Sequence, residues 1–300
     1  MKMRQSGSEK QLQTSECFSY KWARRDTYES ESVKAKSRTW LVERYFGSEE
    51  ERARFIAENR GKSIMDAGCG SGFSAALLFG KDLNDMSYLG VDISDAVETA
   101  GQRFSDLGIK GEFLKESLTE MRLGRNFDII FSEGVLHHTS DPFGCFRNLV
   151  SHLKEGGLLM FYVYRRKAPV REFVDDYIRE GISHLDDGKA WDKLMPLTKL
   201  GKALGDLGAE IEIDEDIEML RIPKGRYNVQ RLFYWFFVKA FYDKSYSLEE
   251  MNHINFDWYR PLNCYRFEPE EIEGWLAKTG LEKVRVVVEE AGITAVAVKR

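Results

Sequence analysis

From residue 61 the chain alternates between short apolar runs and amphipathic stretches. Ser63–Asp66 reads as a strand, and Phe73–Leu78 reads as a helix after a glycine-rich turn. Ser87–Asp92 predicts a second strand, and Ser94-Asp95 offers a cap pair for a helix running to about Leu107. Gly111–Lys115 and Phe127–Phe131 predict the third and fourth strands. Asp141-Pro142 reads as an N-cap with proline at the first helical position. Phe143, Phe146, Leu149, Val150 and Leu153 then share one apolar stripe. Gly156-Gly157 is expected to end that helix, and Leu158–Tyr164 to form a fifth strand. Alternation of this kind argues for a parallel sheet covered on both faces.

The flanking stretches read differently. Residues 1–16 are polar and are expected to be mobile. Cys17–Arg25 then crowds Phe18, Tyr20 and Trp22 among Lys21, Arg24 and Arg25. That stretch is either a tail packed on the main domain or a lid over a ligand. Ser37–Asn59 reads as helical, with Trp40, Leu41, Tyr45 and Phe46 on one stripe, a break at Gly47-Ser48, and Phe55-Ile56 beyond it. Between 165 and 266 no βα unit is evident, so this region reads as a mostly helical insertion. Its apolar peak, Leu232–Val238, fits a buried cap helix better than a membrane-surface helix, because Arg231 and Lys239 give little basic face. Glu268 to Gly280 predicts a last helix, and Val284–Val288 and Thr294–Val298 an antiparallel pair of strands. The expected organisation is an N-terminal lid and helices (1–60), a first core segment (61–164), a helical cap (165–266) and a last core segment (267–300).

The chemistry concentrates at strand ends. Asp66-Ala67-Gly68-Cys69-Gly70-Ser71-Gly72 joins the first strand to its helix. Glycines let the backbone turn tightly and approach a ligand, and a helix start offers unpaired N–H groups. The spacing is GxGxG rather than the GxGxxG of dinucleotide enzymes. Asp92 ends the second strand, about where the ribose-binding acid of a Rossmann-like unit lies. Together these stretches resemble motifs I and II of the class I S-adenosylmethionine (SAM) dependent methyltransferases. The resemblance covers about Gly61–Tyr164 and Glu268–Lys299.

That resemblance implies an α/β fold, a Rossmann-like seven-stranded methyltransferase sheet with an N-terminal helical lid and a mostly helical insertion after strand five. It implies SAM as cofactor. Gly68 and Gly70 would hold its methionyl part, Asp66 would order water or the amino group, and Asp92 would accept from the ribose diol. Ile93 would lie on the adenine, and Glu116, Ser117 and Leu118 at the adenine edge, although the family more often has Asp where Glu116 stands. Ser132-Glu133-Gly134-Val135-Leu136-His137-His138 resembles the SxGVLHH stretch of the small-molecule branch. There Glu133 would shape the cofactor end through its backbone. His137 or His138 would face the methyl group as base or orienter, since imidazole titrates near neutral pH. The stretch lacks the Asn/Asp-Pro-Pro-aromatic motif of enzymes that methylate amide or base nitrogens. Phe256–Pro261 resembles the DWY–Pro stretches of a subgroup that also carries an FxYxW-like N-terminal segment, here Phe18–Trp22. Tyr20, Trp22, Asp257, Trp258 and Tyr259 are therefore candidate substrate-binding residues; Trp258 and Tyr259 could equally glue cap to core.

Composition narrows the reading. With 43% hydrophobic and 31% charged residues the chain is an ordinary globular one, and a formal charge of −5 gives no general attraction to nucleic acid or anionic membrane. No apolar run reaches membrane-spanning length, and the first residues lack the apolar core of a secretory signal. Cys17, Cys69, Cys145 and Cys264 are scattered without CxxC or zinc spacing, which suits reduced thiols in the cytoplasm. Cys69 reads as a small loop residue before it reads as a nucleophile. His184 and His253 lie far from His137 and His138 in sequence, so no metal is expected. The expected activity is methyl transfer to an O, C or N atom of a small-molecule acceptor, with oligomerisation left open. The alternatives are a SAM-binding enzyme that directs another displacement, such as ring closure, and a catalytically silent SAM-binding partner subunit.

Overall fold

The apolar runs become strands in a computed structural model that describes residues 7–300. In chain order the strands are β1 (Ser63–Ala67), β2 (Ser87–Asp92), β3 (Glu112–Lys115), β4 (Phe127–Glu133), β5 (Leu153–Tyr164), β6 (Glu210–Ile213), β7 (Gly225–Asn228), β8 (Leu281–Val288) and β9 (Gly292–Lys299). The helices are α1 (Gly7–Ala23), α2 (Glu31–Tyr45), α3 (Glu49–Glu58), α4 (Phe73–Leu78), α5 (Ala96–Leu107), α6 (Pro142–Ser151), α7 (Pro169–Ile182), α8 (Asp187–Leu207), α9 (Val229–Phe236), α10 (Leu248–Tyr259) and α11 (Pro269–Lys278). The chain divides into two units. One comprises 7–23, 34–165 and 263–300; the other comprises 24–33 and 166–262.

The first unit holds a seven-stranded sheet in the order β3-β2-β1-β4-β5-β9-β8. β3, β2, β1, β4 and β5 run parallel, while β9 is antiparallel to both β5 and β8. This is an α/β Rossmann-like sheet with the seven strands that the resemblance implies. The strand order reverses at β1, and that is where ligands bind in open sheets, beyond the carboxyl ends. The central strands are apolar on both faces because helices cover them, as Ile64, Met65, Ile129, Ile130, Leu159 and Phe161 show by being sealed from solvent. Asp141 caps α6 by accepting from the Gly144 amide (2.9 Å), with Pro142 at the first position.

Several boundaries differ from those predicted. The break expected at Gly47-Ser48 does separate α2 from α3, but α2 begins at Glu31 rather than Ser37, because Glu31–Lys36 holds too few apolar residues to signal a helix. Residues 7–16, expected to be mobile, are the first part of α1; residues 1–6 lie outside the described residues. α6 ends at Ser151, so Gly156-Gly157 does not terminate it but lies inside β5.

The second unit is helical, with α8 and α10 at its centre. Thr198 on α8 donates to Asn252 (2.6 Å) and accepts from Asn255 (2.8 Å). A small antiparallel hairpin, β6–β7, interrupts the helices and was not anticipated. No described helix is long and apolar enough to cross a membrane.

Candidate active site

β1 and β2 end side by side, with Asp66 opposite Gly90 and Ala67 opposite Val91. The chain leaves β1 through Gly68 and Gly70, both at positive φ. A Cβ on Gly68 would overlap the Val135 side chain, and one on Gly70 would sit 2.7 Å from Trp22 Nε1. Backbone angle and crowding therefore both require glycine at these positions. The amides of Gly68 and Cys69 donate to the Val91 carbonyl (2.7 and 3.0 Å), which stitches the loop to β2. Arg103 of α5 braces it from below by donating to the Ser71 carbonyl and hydroxyl.

Asp92 stands at the centre. Its Oδ2 accepts the Gly70 amide (2.9 Å), and its Oδ1 accepts the amide (2.8 Å) and hydroxyl (2.6 Å) of Ser94. Burial raises its pKa above the usual carboxylate range, opposed by those donors and by Lys21. A carboxylate offers about four acceptor directions. A ribose diol must therefore share Asp92 with Ser94 or the loop. Asp66 is deeper, 3% exposed, and Tyr88 donates to it (2.8 Å). Burial lifts its pKa to about 7; Tyr88 opposes the rise, and the charges of Asp92 and Glu133 add to it. Burial likewise pushes the Cys69 thiol well above its normal range, with Asp66 and Asp92 adding, so a nucleophilic thiolate there is disfavoured.

The other predicted residues fall around this centre or away from it. Ile93 is half-buried, and its carbonyl accepts from Ser15 of α1 (3.2 Å). The Glu116 amide donates to the Asp92 carbonyl (2.9 Å), its carboxylate accepts the Ser117 amide (3.0 Å), and Leu118 is buried. Glu133 is engaged through its side chain: Arg44 (3.1 Å) and Tyr45 (2.6 Å) of α2 both donate to it, and Arg44 also donates to Glu289 (3.2 Å). Burial raises Glu133, and Arg44 and Tyr45 oppose that rise.

Helix α1 lies over the strand ends. Trp22 meets Gly70, the Asp95 amide donates to Ser19 (3.1 Å), and Phe18 stands edge-on to His138 at 5.0 Å. Tyr20 is half-buried on the same helix. His137 is sealed from solvent and stacks on Tyr164, with centroids 3.7 Å apart. His138 Nδ1 is 2.6 Å from the Asn263 carbonyl oxygen. A carbonyl only accepts, so Nδ1 carries the proton and the neutral ring keeps its lone pair on Nε2.

In the helical unit, Asp257 is half-buried. Trp258 and Tyr259 are interior and donate to Asp175 (2.7 and 2.8 Å). Among the described residues no three His, Cys, Asp or Glu side chains come together as a metal site.

Sequence reasoning missed Arg44, Tyr88, Arg103 and Asn263. Tyr45 was legible only as part of an apolar stripe. Asn263 acts through its backbone carbonyl, which no side-chain pattern reveals.

Residues 58–200 match the family described as "Methyltransferase domain". Over the full length of both chains, the fold is similar to that of magnesium protoporphyrin IX methyltransferase from Synechocystis PCC 6803, solved with bound SAM, at a TM-score of 0.52 and 12% identity. Residues 58–200 are thus a methyltransferase domain. The cofactor of that family is SAM. Among curated relatives, this methyltransferase is 29% identical over 169 residues to phosphoethanolamine N-methyltransferase 1 of Triticum aestivum, covering 55% of this chain and 32% of the relative. It is 29% identical over 108 residues to a tRNA U34 carboxymethyltransferase of Alteromonas mediterranea, covering 34% of this chain and 32% of that one. It is 26% identical over 104 residues to a ubiquinone biosynthesis O-methyltransferase of Rickettsia felis, covering 34% and 41%. The chain thus spans about a third of the length of the first curated relatives it matches.

Proposed function

We propose that this methyltransferase moves the methyl group of SAM to an O, C or N atom of a small-molecule acceptor. The observation that carries the reading is the clamp of Asp92 on the Gly70 amide at the paired ends of β1 and β2. It fixes a glycine cradle and a carboxylate side by side at the strand ends. Gly68 and Gly70 would hold the methionyl part, Asp66 the ammonium, Asp92 the ribose, and Ile93 with Glu116, Ser117 and Leu118 the adenine. Glu133, held by Arg44 and Tyr45, would close the methionyl end. The buried site fits: Asp66 is a carboxyl whose ionisation improves when a cation arrives.

Bound SAM supplies an electrophilic methyl on a sulfonium. The chain's part is to align the acceptor in line with the S–CH3 bond, exclude water and take up a proton. Alignment alone can be worth roughly 7–11 kcal/mol of the barrier. His138 Nε2 is the proposed base, because the Asn263 carbonyl fixes the other nitrogen as donor. His137, stacked on Tyr164, is the proposed packing residue. Tyr20 and Trp22 on α1, and Asp257, Trp258 and Tyr259, remain the proposed acceptor contacts, the last two through the shape they give the helical unit. Two of the relatives above are named for phosphoethanolamine and ubiquinone synthesis, which favours a small acceptor over nucleic acid. The net charge of −5 agrees. No disulfide joins the four cysteines, which supports action in the reducing cytoplasm.

The test is incubation with methyl-labelled SAM and fractionated metabolites, followed by mass identification of labelled product. Label in a small molecule supports methyl transfer. A converted substrate without label would favour the ring-closure alternative, and SAM binding without any product a silent subunit.

A further inference from the structure

A cleft of about 220 Å³ opens where the edge strand β8 and its neighbours β9 and β5 meet α2 and α3. Leu158, Met160 and Val296 line it from the sheet. Phe46 and Phe55, with ring centroids 5.0 Å apart, line it from the helices. Tyr45 adds ring surface only, because its hydroxyl is spent on Glu133 (2.6 Å). An apolar cavity of about 150 Å³ holds a benzene ring. The cleft therefore has room for one ring and a short polar arm.

A bulge shapes its β8 side. Lys283 faces Ala297 and Arg285 faces Val296, so Val284 is the extra residue. Val284 and Arg285 both line the cleft as a result. Val284 is 60% exposed, an apolar side chain left uncovered on an edge strand. Arg285 donates from Nη2 to the Glu43 carbonyl (3.2 Å) in the last turn of α2, a capping bond that uses one of five donors. Its Nε is sealed without an acceptor, and among the described residues Arg285 pairs with no carboxylate. The other charges at the cleft lie at its solvent rim. Glu51 and Arg54 pair with each other (2.9 Å), and Glu58 is exposed. Rim charges are screened by water and salt, whereas a partly sealed guanidinium acts through a lower dielectric.

We propose that this cleft binds a small carboxylic acid with a ring-sized apolar body, its carboxylate on Arg285 and its body against Met160, Val296 and the Phe46–Phe55 pair. A planar carboxylate matches the guanidinium fork. One negative charge suits the place better than a dianionic phosphate, because Glu58 repels at the rim. The apolar lining supplies the area that holds the body. None of the strand-end residues of the candidate active site lines the cleft, so this inference does not rest on the methyl-transfer reading.

The test uses the full chain without SAM. Phenylpropanoate and its uncharged amide, phenylpropanamide, are titrated separately by calorimetry, with melting temperature followed in parallel. The acid should saturate one site and raise the melting temperature, and the amide should bind about tenfold more weakly or worse. Arg285→Met should abolish that preference, so that acid and amide bind alike. Glu58→Gln should bind the acid at least as tightly as wild type. Val284→Trp places a large ring at the exposed mouth; it should melt like wild type and bind neither probe. The proposal is overturned if the acid does not saturate, if acid and amide bind wild type equally, or if Val284→Trp still binds the acid normally. Should Arg285→Met fail to fold, the acid–amide comparison in wild type and the Val284→Trp result decide.

Discussion

Asp66→Asn tests the electrostatics of the site most directly. Asp66 is 3% exposed, and its pKa rises from 3.8 to about 7, chiefly through burial. That rise of about three units, at ~1.36 kcal/mol each, is an ionisation penalty of about 4 kcal/mol on the native state. The sign follows from proton binding. Below pH 3.8 the carboxyl is neutral in both states and the penalty is absent; between pH 3.8 and about 7 only the unfolded state ionises and stability falls, and above about 7 the loss is complete and level. Asparagine keeps an acceptor for the Tyr88 hydroxyl and never ionises. The variant should therefore be more stable than wild type by about 4 kcal/mol near pH 8, and by under ~2 kcal/mol near pH 5. Urea unfolding at several pH values measures the gap, and subtracting one protein from the other cancels titrations they share. A gap that stays flat with pH, or an Asp66→Asn protein weaker at high pH, would refute the buried-acid account. If the cofactor ammonium pairs with Asp66, S-adenosylhomocysteine binding near pH 6 should release nearly one proton in wild type and none in the variant. Calorimetry in buffers of different ionisation enthalpy reads that release.

Asp92→Ala should weaken SAM by tenfold or more while NAD binds neither protein, as calorimetric titration will show; wild-type affinity would reduce Asp92 to a loop clamp. Hydrogen exchange should slow across residues 7–23 when S-adenosylhomocysteine binds, since α1 already contacts Gly70 and His138; unchanged protection would leave α1 as simple packing. His138→Gln should cut turnover on the true acceptor by about 10²–10⁴, whereas His137→Gln should mainly lower the melting temperature. Asp175→Asn should cost about 3–5 kcal/mol in chemical denaturation, because Arg171 is left buried without its partner.

The sheet was legible because its signals are local. Glycines that need positive φ and an acid at the end of an apolar run mark β1, its loop and β2 without outside help. α1 was hidden because its buried residues are Thr14, Cys17 and Lys21, which no apolar stripe announces. The β6–β7 hairpin was hidden because its strands are short and half polar, and 214–224 is too long for a recognisable turn. Glu133 illustrates the remaining limit. Its place beside the site could be read from the motif, but its partners Arg44 and Tyr45 lie far away in sequence and become visible only once α2 is docked. The acid that accepts the hydrogen bonds of Trp258 and Tyr259, Asp175, is equally distant in sequence and was hidden for the same reason.

The position of β9 between β5 and β8 sets an order of events during synthesis. β5 leaves the ribosome with one flank ready to pair with β4, but its other flank must wait for β9 while the whole of 165–291 is made. That flank belongs to Leu158–Tyr164, an apolar run with high strand propensity, and such an unpaired edge is a template for unwanted pairing. Nascent chains halted before residue 292 should therefore be the most dependent on chaperones and the most prone to aggregate, well before any defect appears in the finished protein.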